Sequence, residues 1–153
     1  TKGGVDEFDS IGYNFKFTDI QAVIGIEQMK SIDRRMMKKK YIYTKYVELL
    51  GNIPQVKMID TDLDDNTPWF VDILCKDRSG LQKFLLDSGI KTRVFYPPLH
   101  TLPHLYGYSY GTSRYPNATY ISANGLWLPS SLTLTDSNIE YICSKIREYY
   151  NDN

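Results

Sequence analysis

The stretch from Thr18 to Gly51 constrains the fold most, because it carries a helix start, a helix stop and no proline between them. No proline occurs before Pro54, and Gly51 is a suitable stop. Thr18 is a natural N-cap, Asp19 lies in the first turn, and Gln21 sits at the capping-box spacing. The spacing therefore predicts one long helix over residues 18–50. Its apolar face changes along the way. Ile20, Val23 and Ile24 share one side at 100° per residue, whereas Ile26, Met29, Ile32, Met36, Tyr43, Tyr46, Val47 and Leu50 gather on the other. Ala22 and Gly25 make that second side small near the helix start, which suits enclosure by protein on both sides. Between Lys30 and Lys45, seven cations face the single acid Asp33, which reads as a solvated basic surface.

The remaining elements are shorter. Val56–Ile59 and Trp69–Cys75 read as strands, separated by the acidic loop Asp60, Asp62, Asp64 and Asp65. That loop lacks the glycine and the terminal glutamate of a calcium loop. Leu81, Phe84 and Leu85 predict a helix over 79–88, stopped by Gly89. Residues 90–96 read as a strand ending at Pro97-Pro98, followed by a long loop rich in Pro, Gly, Ser and Tyr. A short helix is expected over 117–124 and a short strand over 126–128. Thr135 caps a last helix whose Ile139, Ile142, Cys143 and Ile146 fall at i, i+3, i+4 and i+7. Few strands and segregated helices indicate an α+β fold, in which helices pack a small, mainly antiparallel sheet. The segment 1–17 reads as a leading loop and 18–153 as the domain, with the helix of 18–50 linking the two.

Composition narrows the function classes. The 153 residues are 42% hydrophobic and 24% charged, which is globular composition. Eighteen cationic and eighteen acidic residues balance, which disfavours bulk attraction to nucleic acid or an anionic membrane. No apolar run is long enough to span a bilayer, and no secretory signal is evident. Cys75 and Cys143 lie in apolar surroundings and read as buried free thiols in a reducing compartment, so a cytoplasmic location is expected. Asn117-Ala118-Thr119 matches a glycosylation sequon, but nothing else points to secretion.

Three motifs, in order and spacing, resemble one family. Gly-Tyr-Asn-Phe-Lys-Phe-Thr from Gly12, Gly-Ile-Lys-Thr-Arg-Val-Phe-Tyr-Pro-Pro-Leu-His from Gly89, and Ile-Ser-Ala-Asn-Gly-Leu-Trp-Leu-Pro from Ile121 are similar to the C-terminal part of the DegT/DnrJ/EryC1/StrS sugar aminotransferases. The run ending at His100 is most similar to the perosamine-synthase-like branch. The resemblance implies the C-terminal small domain of a fold-type I, pyridoxal-phosphate-dependent aminotransferase. The intact homodimer would move an amino group from glutamate to a nucleotide-linked 4-keto-6-deoxy sugar. The Schiff-base lysine would lie in a large domain outside this chain, so the chain alone is expected to be inactive. A dehydratase of the same family and a stand-alone binding or dimerisation module are the other readings.

The resemblance also implies roles for particular residues. Asn14 would reach across the dimer and donate its amide to the partner's cofactor phosphate; its residue type alone equally suits a turn that bonds its own backbone. Lys16 stands where the family often carries arginine, keeping the charge but losing the bidentate fork. Arg93 would fork onto a phosphate of the nucleotide sugar, or else pair on the surface with a carboxylate. Tyr96 would stack on or bond to the sugar, or else pack in the core. His100, in a proline-stiffened loop, would contact substrate or relay a proton, or else be a packed loop side chain. His104 reads as a loop residue. No metal site is expected.

Overall fold

The structure, a computed structural model, describes residues 17–102 and 114–151. The chain divides into two compact units, residues 1–33 and 34–153.

In the first unit, helix α1 spans Asp19–Met29. The Thr18 hydroxyl accepts the Gln21 N–H, and the Gln21 side chain accepts the Thr18 N–H at 2.9 Å, so the expected capping box forms. The single long helix predicted from sequence is interrupted. Lys30 and Ser31 form a turn, and a second helix, α2, runs over Ile32–Leu50. The Ser31 amide and hydroxyl both reach back to the Gln28 carbonyl at 3.1 Å. A serine hydroxyl competing for that carbonyl tightens the turn and stops the i→i−4 ladder. Helix α1 buries none of its residues, and Ile20, Val23, Ile24, Ile26 and Met29 are exposed.

The second unit is a four-stranded antiparallel sheet packed by helices. Strands β1 (Val56–Met58), β2 (Val71–Cys75), β3 (Arg93–Val94) and β4 (Gly125–Leu128) stand in the order β1-β2-β4-β3. Helices α3 (Arg78–Asp87), α4 (Pro116–Asn124) and α5 (Asp136–Asn151) complete it. The strand expected over 90–96 shrinks to two residues, because only Arg93 and Val94 pair with β4, at Trp127 and Leu126. The α+β class and the antiparallel sheet are as expected.

Period-two alternation decides which side chains enter the core. Val71, Ile73 and Cys75 of β2 point to one face with Leu126 and Leu128 of β4. Ile42, Tyr46 and Leu50 of α2, Leu81 and Leu85 of α3, and Ile139, Ile142, Cys143 and Ile146 of α5 cover that face. Each fully buried aliphatic side chain stabilises by roughly 1.5–3 kcal/mol. Tyr46 brings a hydroxyl into this core and donates it to the Pro129 carbonyl at 2.9 Å. Both cysteines are buried free thiols, and burial pushes Cys75 up to about 11 and Cys143 up to about 12.

Two local devices shape the turns around α3. Gly89 follows the helix with φ +79, a conformation that favours glycine. Asp77 caps the helix start at φ +46, accepting the Gly80 N–H at 3.2 Å and the Tyr149 hydroxyl at 2.5 Å. The Tyr149 bond, and then the Gly80 bond, hold the Asp77 carboxyl below its usual range.

Leu85→Ala, at a fully buried position, should lower the free energy of unfolding measured in denaturant by about 2–5 kcal/mol. A loss below about 1 kcal/mol would mean the site is not close-packed. For Asp77 the sign is set by its depressed pKa. Such a carboxyl adds stability above its unfolded pKa and loses it as pH falls through the folded value. Asp77→Asn should therefore melt below wild type at neutral pH, and thermal melts should show the gap narrowing as acid protonates Asp77 in the wild type. A gap independent of pH would contradict the linkage.

Candidate functional site

The outer face of the sheet carries the polar and aromatic side chains. Strand register aligns Asp72, Trp127 and Arg93 in one transverse row, with Trp127 in the middle. Phe70 stacks on the Trp127 ring at 4.3 Å and 17°. Phe95 tilts against it at 5.1 Å, and Tyr96 meets it edge-on at 5.0 Å. The indole is thus enclosed although it faces away from the core; its exposure is 8%.

Arg93 lies over two of these rings, with its guanidinium carbon 4.9 Å from the Tyr96 centroid and 5.2 Å from that of Trp127. Ring faces attract a guanidinium and fix its plane while leaving its N–H edge available. Among the described residues Arg93 joins no ion pair, so the carboxylate partner considered in the sequence reading is not seen. Asp72, at the other end of the row, is half-buried. Burial pushes its carboxyl up from the ordinary range, and a hydrogen bond with the Trp127 side chain opposes the shift.

Helix α4 ties the next segment down. Ser122 donates its hydroxyl to the Tyr96 carbonyl at 2.9 Å. One turn earlier on α4, Thr119 Oγ1 lies 3.2 Å from His100 Nε2. Residues at i and i+3 share a helix face, so one side of α4 holds both Tyr96 and His100. The His100 ring also stacks on Tyr115 at 5.1 Å and 25°. His100 itself is the middle residue of a one-turn 3-10 helix over Leu99–Thr101, directly after Pro97-Pro98. Pro116 at the first turn of α4 suits a helix start, where its missing N–H is not needed.

Lys39 is a further polar residue beside this face. Its ammonium donates to the Ser130 carbonyl at 2.7 Å, to the Trp69 carbonyl at 2.9 Å and to Ser130 Oγ at 3.3 Å. Burial lowers its pKa. Lys40 donates to the Leu63 carbonyl. The basic stretch of α2 is therefore not wholly solvated, as the charge pattern had suggested; two of its lysines fasten the helix to neighbouring backbone.

Of the sequence-derived candidates, Arg93 and Tyr96 meet directly and His100 is joined to them through α4. Asn14, Lys16 and His104 lie outside the described residues. Trp127, Thr119 and Ser122, which hold these residues in the fold, are not singled out by the sequence. Trp127 lies inside a motif that the sequence displays, but its contact with Arg93 depends on strand register, which no local pattern encodes.

A sequence profile of the DegT/DnrJ/EryC1/StrS aminotransferase family matches residues 2–147. The chain is 34% identical to GDP-perosamine synthase of Escherichia coli O157:H7, over 94% of this chain and 39% of that protein. It is 29% identical to GDP-perosamine synthase of Vibrio cholerae, over 94% of this chain and 40% of that protein. A DegT DnrJ EryC1 StrS aminotransferase from Brucella abortus superposes with a TM-score of 0.81 at 25% identity, covering 96% of this chain and 39% of that one. The chain thus spans about two fifths of the length of these relatives. A profile match over nearly the whole sequence and a shared α+β fold lead to one conclusion: this chain belongs to the DegT/DnrJ/EryC1/StrS aminotransferase family.

Proposed function

We propose that this chain is the C-terminal small domain, with its linking helix, of a pyridoxal-phosphate-dependent nucleotide-sugar aminotransferase. The intact homodimer transfers an amino group from glutamate to the keto carbon of a GDP-linked 4-keto-6-deoxy sugar in the cytoplasm. The observation that carries the reading is the grouping of Arg93, Tyr96 and His100 along one proline-braced segment held by α4.

Pyridoxal phosphate, when bound, supplies the electron sink for the reaction. The described residues do not form its cradle. Lys39, the lysine whose pKa burial lowers, has its ammonium committed to three oxygens and offers no nucleophile. We assign Asn14 and Lys16 to the cofactor phosphate of the partner subunit, and the covalent lysine to a large domain outside this chain.

The described residues act on the substrate. The exposed edge of Arg93 takes a phosphate oxygen pair, a geometry that guanidinium matches and ammonium does not. Tyr96 presents an exposed ring and hydroxyl to the sugar. His100 contacts the sugar or holds a proton beside it. The Thr119 hydroxyl also reaches the Tyr115 carbonyl at 3.1 Å. Its 3.2 Å contact with His100 Nε2 holds that ring against α4.

The full-length protein, supplied with pyridoxal phosphate, glutamate and a GDP-linked 4-keto-6-deoxy hexose, should yield the amino sugar. His100→Ala should lower kcat/KM for the sugar by at least about tenfold without changing retained cofactor, whereas Asn14→Ala should weaken cofactor retention. Absence of the amino sugar, or unchanged sugar kinetics in His100→Ala, would contradict the assignment.

A further inference from the structure

Strand β2 carries a single charged residue, Asp72. Alternation turns Val71, Ile73 and Cys75 into the core and leaves Asp72 facing outward, opposite Trp127 in the strand register. The Trp127 side chain hydrogen-bonds the Asp72 carboxyl. An indole has one donor, its Nε1–H, so that N–H donates to the carboxylate. Asp72 Oδ1 is buried and has no partner among the described residues, so the indole bond falls to Oδ2. Burying a carboxylate with an unpaired oxygen is costly, and a polar group kept at that cost points to a role beyond packing.

Little other charge surrounds Asp72. Strands β1 and β4 flank β2, and α4 packs against it. From β1 comes the exposed Lys57, which stands opposite Leu74 and therefore diagonal to Asp72. Asp60 follows Ile59, whose N–H donates to the Asp72 carbonyl. Neither β4 nor α4 contains a Lys, Arg, His, Asp or Glu, and the titratable group of α4 is Tyr120. Among the described residues Asp72 joins no ion pair. Its charge thus acts on the indole, and through the indole on Arg93. An N–H that donates to an anion leaves more electron density in its ring, and a richer ring face holds a guanidinium more firmly. The guanidinium carbon of Arg93 lies 5.2 Å from that ring. Asp72 and Arg93 are themselves two strand spacings apart, about 10 Å, with Trp127 between them. A direct Asp–Arg pair would occupy the forked N–H edge; an acid on the far side of the ring leaves it open.

We propose that Asp72 is a positioning residue: its carboxylate holds the Trp127 indole, and the indole holds Arg93 in the orientation that receives the substrate phosphate. The effect on turnover rests on the function proposed above; the effect on the ring does not. Burial pushes the Asp72 carboxyl up from the ordinary range, and the indole bond opposes the shift. As pH falls, Asp72 therefore takes its proton at a higher pH than an exposed aspartate does. The indole then loses its anionic acceptor, and the hold on Arg93 weakens.

The test is Asp72→Asn, which keeps the shape and an acceptor oxygen and removes the charge. Full-length protein is labelled with 5-fluorotryptophan in a Trp69→Phe background; Trp69 is 78% exposed, so its loss leaves the core intact. One fluorine resonance should shift as pH falls, with a midpoint above about 4, the value of an unperturbed aspartate, and Asp72→Asn should abolish that titration. In protein otherwise wild type, Asp72→Asn should raise KM for the nucleotide sugar about three- to tenfold at neutral pH and leave kcat within about twofold. The wild-type KM should rise with acid through the midpoint that fluorine reports, and that of Asp72→Asn should not. A carboxyl serving only the fold would move the melting temperature and leave both this split and this pH profile unchanged. An identical fluorine titration in Asp72→Asn, or a KM within about twofold of wild type at every pH, would overturn the proposal. Amino sugar formed with unchanged KM in Asp72→Asn would remove the positioning role alone. A fluorine titration lost in Asp72→Asn, in a protein that makes no amino sugar, would support the hold on the indole and remove the aminotransferase reading alone.

Discussion

Strand β4 is four residues long and buried on both faces, and the core and the site both depend on it. Leu126 and Leu128 turn inward against α2, α3 and α5, while Trp127 turns outward beneath Phe70, Phe95 and Tyr96. Its first residue is a glycine for a steric reason. A Cβ at Gly125 would stand 2.4 Å from the Phe95 ring and 2.6 Å from the Ile121 carbonyl. The close approach lets Phe95 lie over the strand, donating its N–H to the Gly125 carbonyl at 3.4 Å. A strand of this kind cannot slip by one residue, because a slip would exchange leucines for tryptophan in the core. The same constraint that sets the core therefore sets the position of the indole.

From that fixed indole the rest of the outer face follows in order. Antiparallel pairing puts Arg93 opposite Trp127, and the ring then orients the guanidinium. Strand β3 is short and lies at the sheet edge, so Arg93 is held by ring contact more than by a ladder. Pro97 and Pro98 stiffen the exit, and α4 anchors it at Tyr96 and His100 through Ser122 and Thr119. A rigid scaffold thus holds Arg93, Tyr96 and His100 at the surface in fixed positions, which suits the binding role proposed for them.

Local signals in the sequence were reliable where the physics is local. The Thr18 and Thr135 caps, the glycine stop at Gly89 and the α5 stripe of Ile139, Ile142, Cys143 and Ile146 all form as their spacing dictates. What escaped detection was set by contacts between distant segments. The turn at Lys30–Ser31 interrupts a pattern that otherwise favours continuous helix. The shortening of β3 reflects where β4 stops offering partners. Lys39 looked like one more surface lysine until the folded chain brought Trp69 and Ser130 to it. Arg93, Tyr96 and His100 were singled out by family resemblance. Their joining to Trp127 and Ser122 arises from the pairing of two of the motifs, which the chain separates and the sheet reunites, and Thr119, just before the later motif, adds the contact with His100.

On the function proposed above, the ring-held arginine of β3 receives a phosphate of the nucleotide sugar. A crystal structure of the full-length protein soaked with GDP tests it most directly. Diphosphate oxygens should lie within hydrogen-bonding distance of the Arg93 guanidinium. Well-defined nucleotide density elsewhere, with the Arg93 edge facing only solvent, would contradict it.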